Sequence, residues 1–342
     1  AGGGGHVVVR DVYARFGVRL TDLRRFVDAL RMPAGMRLRG GHVMSAEEAV
    51  LITLRRFKHA GARPQLHTPV CLPLSSLPTV ALLPFRGVGS AASLTWELGR
   101  SEAAISAAHA AVVEHIHRQF PHLVDSRSFS AFAPLFPRFA GAFAEAGVPL
   151  SNLVGFLDGK LWEVARPVRA QAPLYSGHKR CHGVKIQGIV FPNGIQPWPY
   201  GPIDGSRHDS YVLQASGLLP LMQRLCGAAG HTFILFGDSA YPMSPYLYRM
   251  YRGNMPAWQT AFNRIMSPHR VSVEWGFGKI ANLWPWLNVA HSQQTLCRDV
   301  GAYLRVANVF TNMHTCMYGS IISSKFKVEP PPLQLYMAGG PF

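Results

Sequence analysis

Carboxylates are scarce in this chain of 342 residues. Asp and Glu number 18 against 34 Lys and Arg, for a formal net charge of +16 and a pI near 10.1. That imbalance does not specify a fold, but it predicts attraction to polyanions: DNA, RNA or an anionic membrane face. Long apolar runs are missing as well. None approaches the roughly 20 residues a bilayer-spanning helix needs, which sets a membrane role aside. Cysteine is sparse: Cys71, Cys181, Cys226, Cys297 and Cys316 are scattered, odd in number and without a C-x-x-C pair. A reduced intracellular compartment fits this usage better than a disulfide framework. No secretory signal, transit peptide or internal repeat is evident. The opening AGGGGH lacks an initiator Met and reads as a truncated or engineered start, disordered over 1–10. What the chain does have is 48% hydrophobic residues, the mark of a globular protein, and length enough for two domains and a sizeable core.

Residues 6–60 carry a helical period, with Val12, Phe16, Leu20, Leu23 and Phe26 on one stripe. SAEEAVLITLRRF (45–57) opens with Ser45 and Glu48 in a capping-box pattern. Residues 61–84 are Pro-rich and irregular. In 93–120 a short helix is expected to end near Gly99, and Ser101 to cap a second one with Ile105, Ala108, Val112 and Ile116 on one face. That is helix-turn-helix spacing, but any αα-hairpin writes the same pattern. The second helix has no Lys or Arg between Arg100 and Arg118, so structural packing and a nucleic-acid contact both stay open.

From about residue 150 the period changes to that of strands. LVGFLDG (153–159) reads as a buried strand ending in an acid. VKIQGIVFPNGIQPWPY (184–200) reads as two strands joined by a type I′ turn at Asn193-Gly194. Residues 210–225 and 256–266 read as helices, HTFILFGD (231–238) as a buried strand. Ser267 and Pro268 read as the N-cap and first residue of a further helix, and 297–317 as a closing amphipathic helix. The proline-rich tail, 329–342, is expected to be a disordered strap.

Asp158 and Asp238 each stand beside a glycine where a strand is expected to stop. Neighbouring strand ends of an α/β sheet form the usual ligand crevice, so the two acids can converge. Glu274 borders the face formed by Val273, Phe277 and Ile280 and can reach the same crevice. Three carboxylates about 4 Å apart repel by roughly 4 kcal/mol per pair at an effective dielectric of 20, so they protonate, splay or bind cations. Mg²⁺ or Mn²⁺ suits such hard oxygen ligands, and two ions held this way stabilise the attacking and leaving oxygens of phosphoryl transfer. Each acid has a plainer reading: Asp158 and Asp238 as turn residues, and Glu274 as an i,i+4 partner of Arg270.

Other groups bear on the same question. His178, Cys181 and His182 in SGHKRCH invite a zinc site, but no second cluster completes a tetrahedron. With Lys179, Arg180 and Lys185 the segment reads better as a basic patch for a phosphate backbone, to which Arg166 and Arg169 add. Trp258, Trp275, Trp284 and Trp286 read as packing residues before base-stacking platforms. Ser239 sits in no G-x-S-x-G elbow and is no nucleophile.

In order along the chain, GRSEAAIS (99–106), FLDGKLWEVARP (156–167), YSGHKRCHGVKIQGIVFPNGI (175–195), DGSRHDS (204–210), FGDSAYP (236–242), FNRIMSPHRVSVEWGFGKI (262–280) and the last helix resemble the PIF/Harbinger transposases and their domesticated relatives. The resemblance covers roughly residues 45 to 317. It implies an RNase H-like nuclease domain, a mixed sheet flanked by helices over 149–320. An all-α domain with a helix-turn-helix-like hairpin over 11–148 would precede it, and a flexible tail over 321–342 would follow. By that similarity Asp158, Asp238 and Glu274 take the catalytic, metal-binding positions, and Asp209 matches a further, supporting acid. The resemblance also implies DNA cleavage with two divalent cations and water as nucleophile, and joining of the freed 3′ end to a target. It implies a separate Myb-like partner that aids DNA binding and nuclear import. A homo-oligomer is a further expectation. Where the family often has Asp-Gly-Thr, this chain has Asp158-Gly159-Lys160. Two rival readings are a catalytically silent, domesticated DNA-binding scaffold and a DNA- or RNA-processing nuclease that never transposes.

Overall fold

Helical and strand periods segregate along this chain, and so do its folded units. A computed structural model describes residues 13–59, 91–295 and 297–342. The expected disordered start and the Pro-rich stretch 61–84 lie outside the described residues, as does Cys71. Two units emerge. One holds the residues up to Gln119 together with Ala281–Ser292, and the other holds Phe120–Ile280 with Gln293–Phe342.

The first unit is not all helix. Between α1 (Leu23–Ala29) and α2 (Ala46–Lys58) lies an antiparallel ribbon, β1 (Gly35–Arg37) and β2 (Val43–Ser45). Pro33, Gly35 and the pair Gly40-Gly41 interrupt the helical period. The hairpin closes through Gly40 and Gly41, both at φ near +80°, a conformation a side chain resists. Met36, Leu38 and Met44 then alternate inward. The expected cap holds in half: Ser45 Oγ accepts from Glu48 N at 3.1 Å, but the Glu48 carboxylate accepts both prongs of Arg100, at 2.6 and 2.9 Å. The hairpin α3 (Ala91–Leu98) and α4 (Glu102–Gln119) forms as read. Gly99 turns it at φ +63°, Ser101 Oγ accepts from Ala104 N, and Ile105, Ala108, Val112 and Ile116 are buried.

The second unit is built on a six-stranded mixed sheet. Its main path is β4 (Tyr175–Ser176), β5 (Cys181–Val190), β3 (Leu153–Glu163), β7 (Ile234–Gly237) and β8 (Leu247–Arg249), while β6 (Tyr200–Asp204) pairs with β5. β3 runs antiparallel to β5 and parallel to β7, and β7 parallel to β8. The unit starts earlier than 149, because α5 (Ser126–Ala131) and α6 (Phe136–Glu145) belong to its core. Phe129, Phe132, Phe136 and Phe139 surround Phe191, and Phe143 meets Phe156 edge-on.

Four local expectations are corrected. Residues 195–199 are not a strand. The expected type I′ turn does not form: Gly194 N donates to Phe191 O at 2.9 Å, so Pro192 and Asn193 are the central residues, and only Gly194, after them, takes a positive φ. Beyond it Pro197 and Pro199 have no N–H to offer a ladder. The Gln196 backbone is instead paired by side chains: its N–H donates to Asn312 Oδ1, and its carbonyl accepts from Asn308 and Asn312. The 210–225 helix is two, α7 (Asp209–Ser216) and α8 (Leu218–Ala229), broken at Gly217 with φ +67°. Conversely, 256–266 and the helix expected to start at Ser267 are one, α9 (Ala257–Leu283), with Pro268 inside. Met266, Val273, Phe277 and Ile280 form one buried stripe across the proline, and burial of that stripe offsets the roughly 3 kcal/mol an interior proline costs. Last, after α10 (Val300–Tyr318), the 321–342 tail is ordered. It forms α11 (Ile321–Phe326) and α12 (Leu333–Ala338), buries Leu333, Tyr336 and Met337, and stacks Phe342 on Phe132. Its apolar residues outweigh its prolines.

Candidate active site

β3 does not stop at Asp158. It continues to Glu163, because the backbone beyond the acid stays paired to β5, Asp158 opposite Gly188 and Trp162 opposite Val184. Only β7 ends there. Leu157 pairs with Gly237, the last residue of β7, and Asp238 then folds into a turn in which its Oδ1 accepts from Ala240 N at 2.8 Å. Asp158 and Asp238 therefore follow a directly paired couple on neighbouring parallel strands. The proximity registers in Asp158, whose carboxyl is pushed up to about 6. Burial is the largest cause, and the Asp238 and Asp209 charges add to it, while the Gly159 N–H and Arg270 oppose it.

Register decides which face each group uses. Directly opposed residues of an antiparallel pair point the same way. A Cβ on Gly188 would meet the Phe277 ring at 2.7 Å, so Asp158, and with it Lys160 and Trp162, face α9. Gly276 lets α9 approach closely, since a Cβ there would stand 2.6 Å from Val190. Val273, Phe277 and Ile280 are buried against the sheet, and Glu274 stands beside them with its side chain half exposed. Asp158, Lys160, Lys179 and Glu274 line one cleft, open to solvent, of about 410 Å³.

Glu274 thus shares the Asp158 side of the sheet, and its plainer reading as an i,i+4 partner of Arg270 is realised. Arg270 Nη2 donates to Glu274 Oε1 at 2.6 Å. Among the described residues, no three His, Cys, Asp or Glu stand close enough to hold one metal. The structure makes neighbours of Asp158 and Asp238 and brings Glu274 to the same cleft, where a guanidinium supplies the positive charge. The carboxylate oxygens of Asp158 and Asp238, the first buried and pressed by like charge, are donors of the kind hard divalent cations take, while Glu274 is committed to Arg270.

Asp209 lies on the opposite face. Gly159 is bare because Asp209 sits against it: a Cβ would be 2.9 Å from Oδ1. Lys185 Nζ donates to that same oxygen at 2.9 Å, so Lys185 is a counter-ion to Asp209 and not an open phosphate grip. Tyr241 went unremarked in the sequence, although FGDSAYP contains it. It is 1% exposed, its hydroxyl has no hydrogen-bond partner among the described residues, and burial together with the charges of Asp209, Asp158 and Asp238 drives its pKa well up.

The basic segment is the tip of the β4–β5 hairpin. His178, Lys179 and Arg180 are exposed, with Arg180 N donating to Ser176 O at 2.7 Å. Arg166 and Arg169 are exposed too, Arg166 Nε donating to Gln171 Oε1. Lys160 Nζ sits 4.4 Å over the Trp162 ring, and burial lowers its pKa. The zinc reading gains nothing, since His182 packs on Tyr175 and the Cys181 thiol is raised by burial and by Glu163. Of the four tryptophans, Trp284 and Trp286 are buried, whereas Trp258 and Trp275 are exposed.

Residues 157–312 match the family of the DDE superfamily endonuclease. The matched span begins one residue before Asp158 and includes Asp209, Asp238 and Glu274. Comparison with curated proteins gives no match, and neither does comparison with solved structures.

Proposed function

We propose, from the premise that residues 157–312 are similar to the DDE superfamily endonucleases, that the chain is a metal-dependent DNA endonuclease and transposase of the PIF/Harbinger type. The observation that supports this reading is the register of β3 on β7, which sets Asp158 and Asp238 directly after the paired Leu157 and Gly237, with Asp158 and Glu274 lining one cleft. The sheet order, three antiparallel strands followed by two parallel ones, supports an RNase H-like fold.

Asp158, Asp238 and Glu274 would hold the cations, and Glu274 would have to be released from Arg270 to do so. Two Mg²⁺ or Mn²⁺ ions would supply the charge that stabilises the attacking and leaving oxygens of the phosphodiester. Lys160 and Lys179, at the rim of the same cleft, are placed to meet non-bridging phosphate oxygens. His178, Arg180 and Arg166 extend that contact along the backbone. Asp209, fixed by Lys185 behind Gly159, supports Asp158 from the reverse face. Strand joining, a Myb-like partner, a homo-oligomer and nuclear localisation belong to the same reading.

A second reading has one observation in its favour. The 2.6 Å bond from Arg270 to Glu274 suits a silent, domesticated scaffold that binds DNA without cutting it. Nicking of supercoiled plasmid in Mg²⁺ or Mn²⁺, against EDTA and against Asp238→Asn, separates the two. The nuclease reading expects nicks only from the unaltered chain with metal. Equal nicking by the variant would falsify the assigned site, and no nicking by either leaves the scaffold. Oligonucleotides bearing inverted repeats then distinguish a transposase from a general nuclease.

A further inference from the structure

The helical hairpin is the element whose sequence suggests DNA contact, yet its cations are already engaged. Arg100 is held bidentately by Glu48 and Arg118 lies 3.9 Å from Glu114, while the hairpin's own Glu97 accepts from Arg55 of α2 at 2.7 Å. A different part of the same unit carries unpaired positive charge. Arg24 and Arg25 lie on the outer face of α1, Arg31 just past its end, and Arg37 and Arg39 on the ribbon; all five are exposed. Among the described residues, none of them has a carboxylate partner. Asp28 is the one acid between Leu23 and Ser45.

The ribbon presents this charge in a fixed geometry. Met36 and Leu38 are buried, so Arg37 and the neighbouring Arg39 are turned to solvent. Leu38 N donates to His42 O at 2.8 Å and Gly41 N to Leu38 O at 3.2 Å, which ties the turn. All five cations are Arg, whose planar fork matches phosphate oxygens two at a time.

We propose that the arginine-bearing ribbon β1–β2, with the outer face and end of α1, is the surface by which the first unit holds the phosphate backbone of duplex DNA. B-form DNA has a groove about 12 Å wide that admits a two-stranded ribbon, whereas the deep, narrow major groove of A-form RNA does not admit side chains. The ribbon's apolar residues other than Val43 and the terminal glycine point inward, leaving little to insert into a lipid surface. The inference rests on this chain acting on DNA, not on its cutting it.

The test is a salt titration of binding to a short fluorescent duplex, with the full chain in EDTA, so that cleavage plays no part. Each lost phosphate contact lowers the slope of log affinity against log salt by about 0.9, so Arg37→Gln/Arg39→Gln is expected to flatten it by about 1.8. If the whole loss is electrostatic, affinity at 0.1 M salt falls by ~60-fold. Arg37→Lys/Arg39→Lys should keep the slope, and Arg118→Gln on the hairpin should leave it unchanged. Both arginines are exposed, and an unaltered thermal midpoint checks that the glutamine variant folds. An unchanged slope in that folded variant overturns the proposal. So does a slope that falls with Arg118→Gln instead, or one that falls only on duplex RNA or on phosphatidylserine vesicles. A chain that never nicks plasmid can still pass, and one that nicks can still fail.

Discussion

Asp158 shows how a reactive group strains the fold that holds it. Its pKa in the cation-free chain, about 6, is above the unfolded value of roughly 3.9, so the folded state binds the extra proton more tightly. Its effect on stability is therefore most favourable below pH 4, is lost as pH rises through 6, and is flat above that. Asp158→Asn removes the ionised form and is expected to raise stability at pH 7 by roughly 1–3 kcal/mol while abolishing cleavage. Thermal unfolding at pH 5 and pH 7 without metal checks this, and a variant no more stable than the parent at pH 7 contradicts it. Arg270 poses a different question. Its bond to a half-exposed Glu274 is worth at most about 1 kcal/mol, so Arg270→Gln should tighten Mn²⁺ binding no more than about fivefold. Calorimetric titration reads this directly, and tightening far beyond fivefold contradicts a weak, solvent-screened pair.

At the scale of elements, α9 positions Glu274 through the two glycines that let it lie close to β5. Gly276→Ala puts a methyl 2.6 Å from Val190 and is expected to cost about 1–3 kcal/mol. By tilting α9 it should reduce cleavage more than stability alone explains. Nicking rates measured well below the melting temperature separate the two effects. The loop 195–199 depends on a different device. Asn312 pairs the Gln196 N–H and carbonyl and donates to the Tyr336 hydroxyl at 3.0 Å. Asn312→Ala leaves these buried groups short of partners and should cost roughly 2–4 kcal/mol, read in chemical denaturation.

For the whole molecule, the charge of +16 and the few carboxylates divide the work. Asp158 and Asp238 stand as neighbours with Glu274 in the Asp158 cleft, and the arginines of α1, the β1–β2 ribbon and the β4–β5 tip are exposed. The C-terminal segment belongs to the core of the second unit, with Tyr336 bonded to α10 and Phe342 stacked at 4.0 Å on Phe132. Removing residues 321–342 should therefore abolish cooperative unfolding of that unit rather than trim a loose end. Proteolysis and the unfolding transition of the truncated chain report the outcome.

The sequence by itself determined the elements that rest on local chemistry. The buried runs of β3 and β7, a turn next to Gly194, the Ser101 cap and the buried stripes of α4 and α9 were legible, because period and capping act within a few residues. α10 was legible as a helix, but it is buried on nearly every side rather than along one stripe. The nearness of Asp158 and Asp238 was legible too, since each stands beside a glycine in an apolar run, and the pairing of Leu157 with Gly237 realises it. Tertiary structure alone decided the rest. β3 outlasts Asp158 because β5 pairs with it. α9 runs through Pro268 because a buried stripe continues past the break. Residues 195–199 lose their strand to asparagine side chains more than a hundred positions away, and Gly159, Gly188 and Gly276 are glycines because of what packs against them. Each of these depends on a partner distant along the chain, which local patterns do not encode.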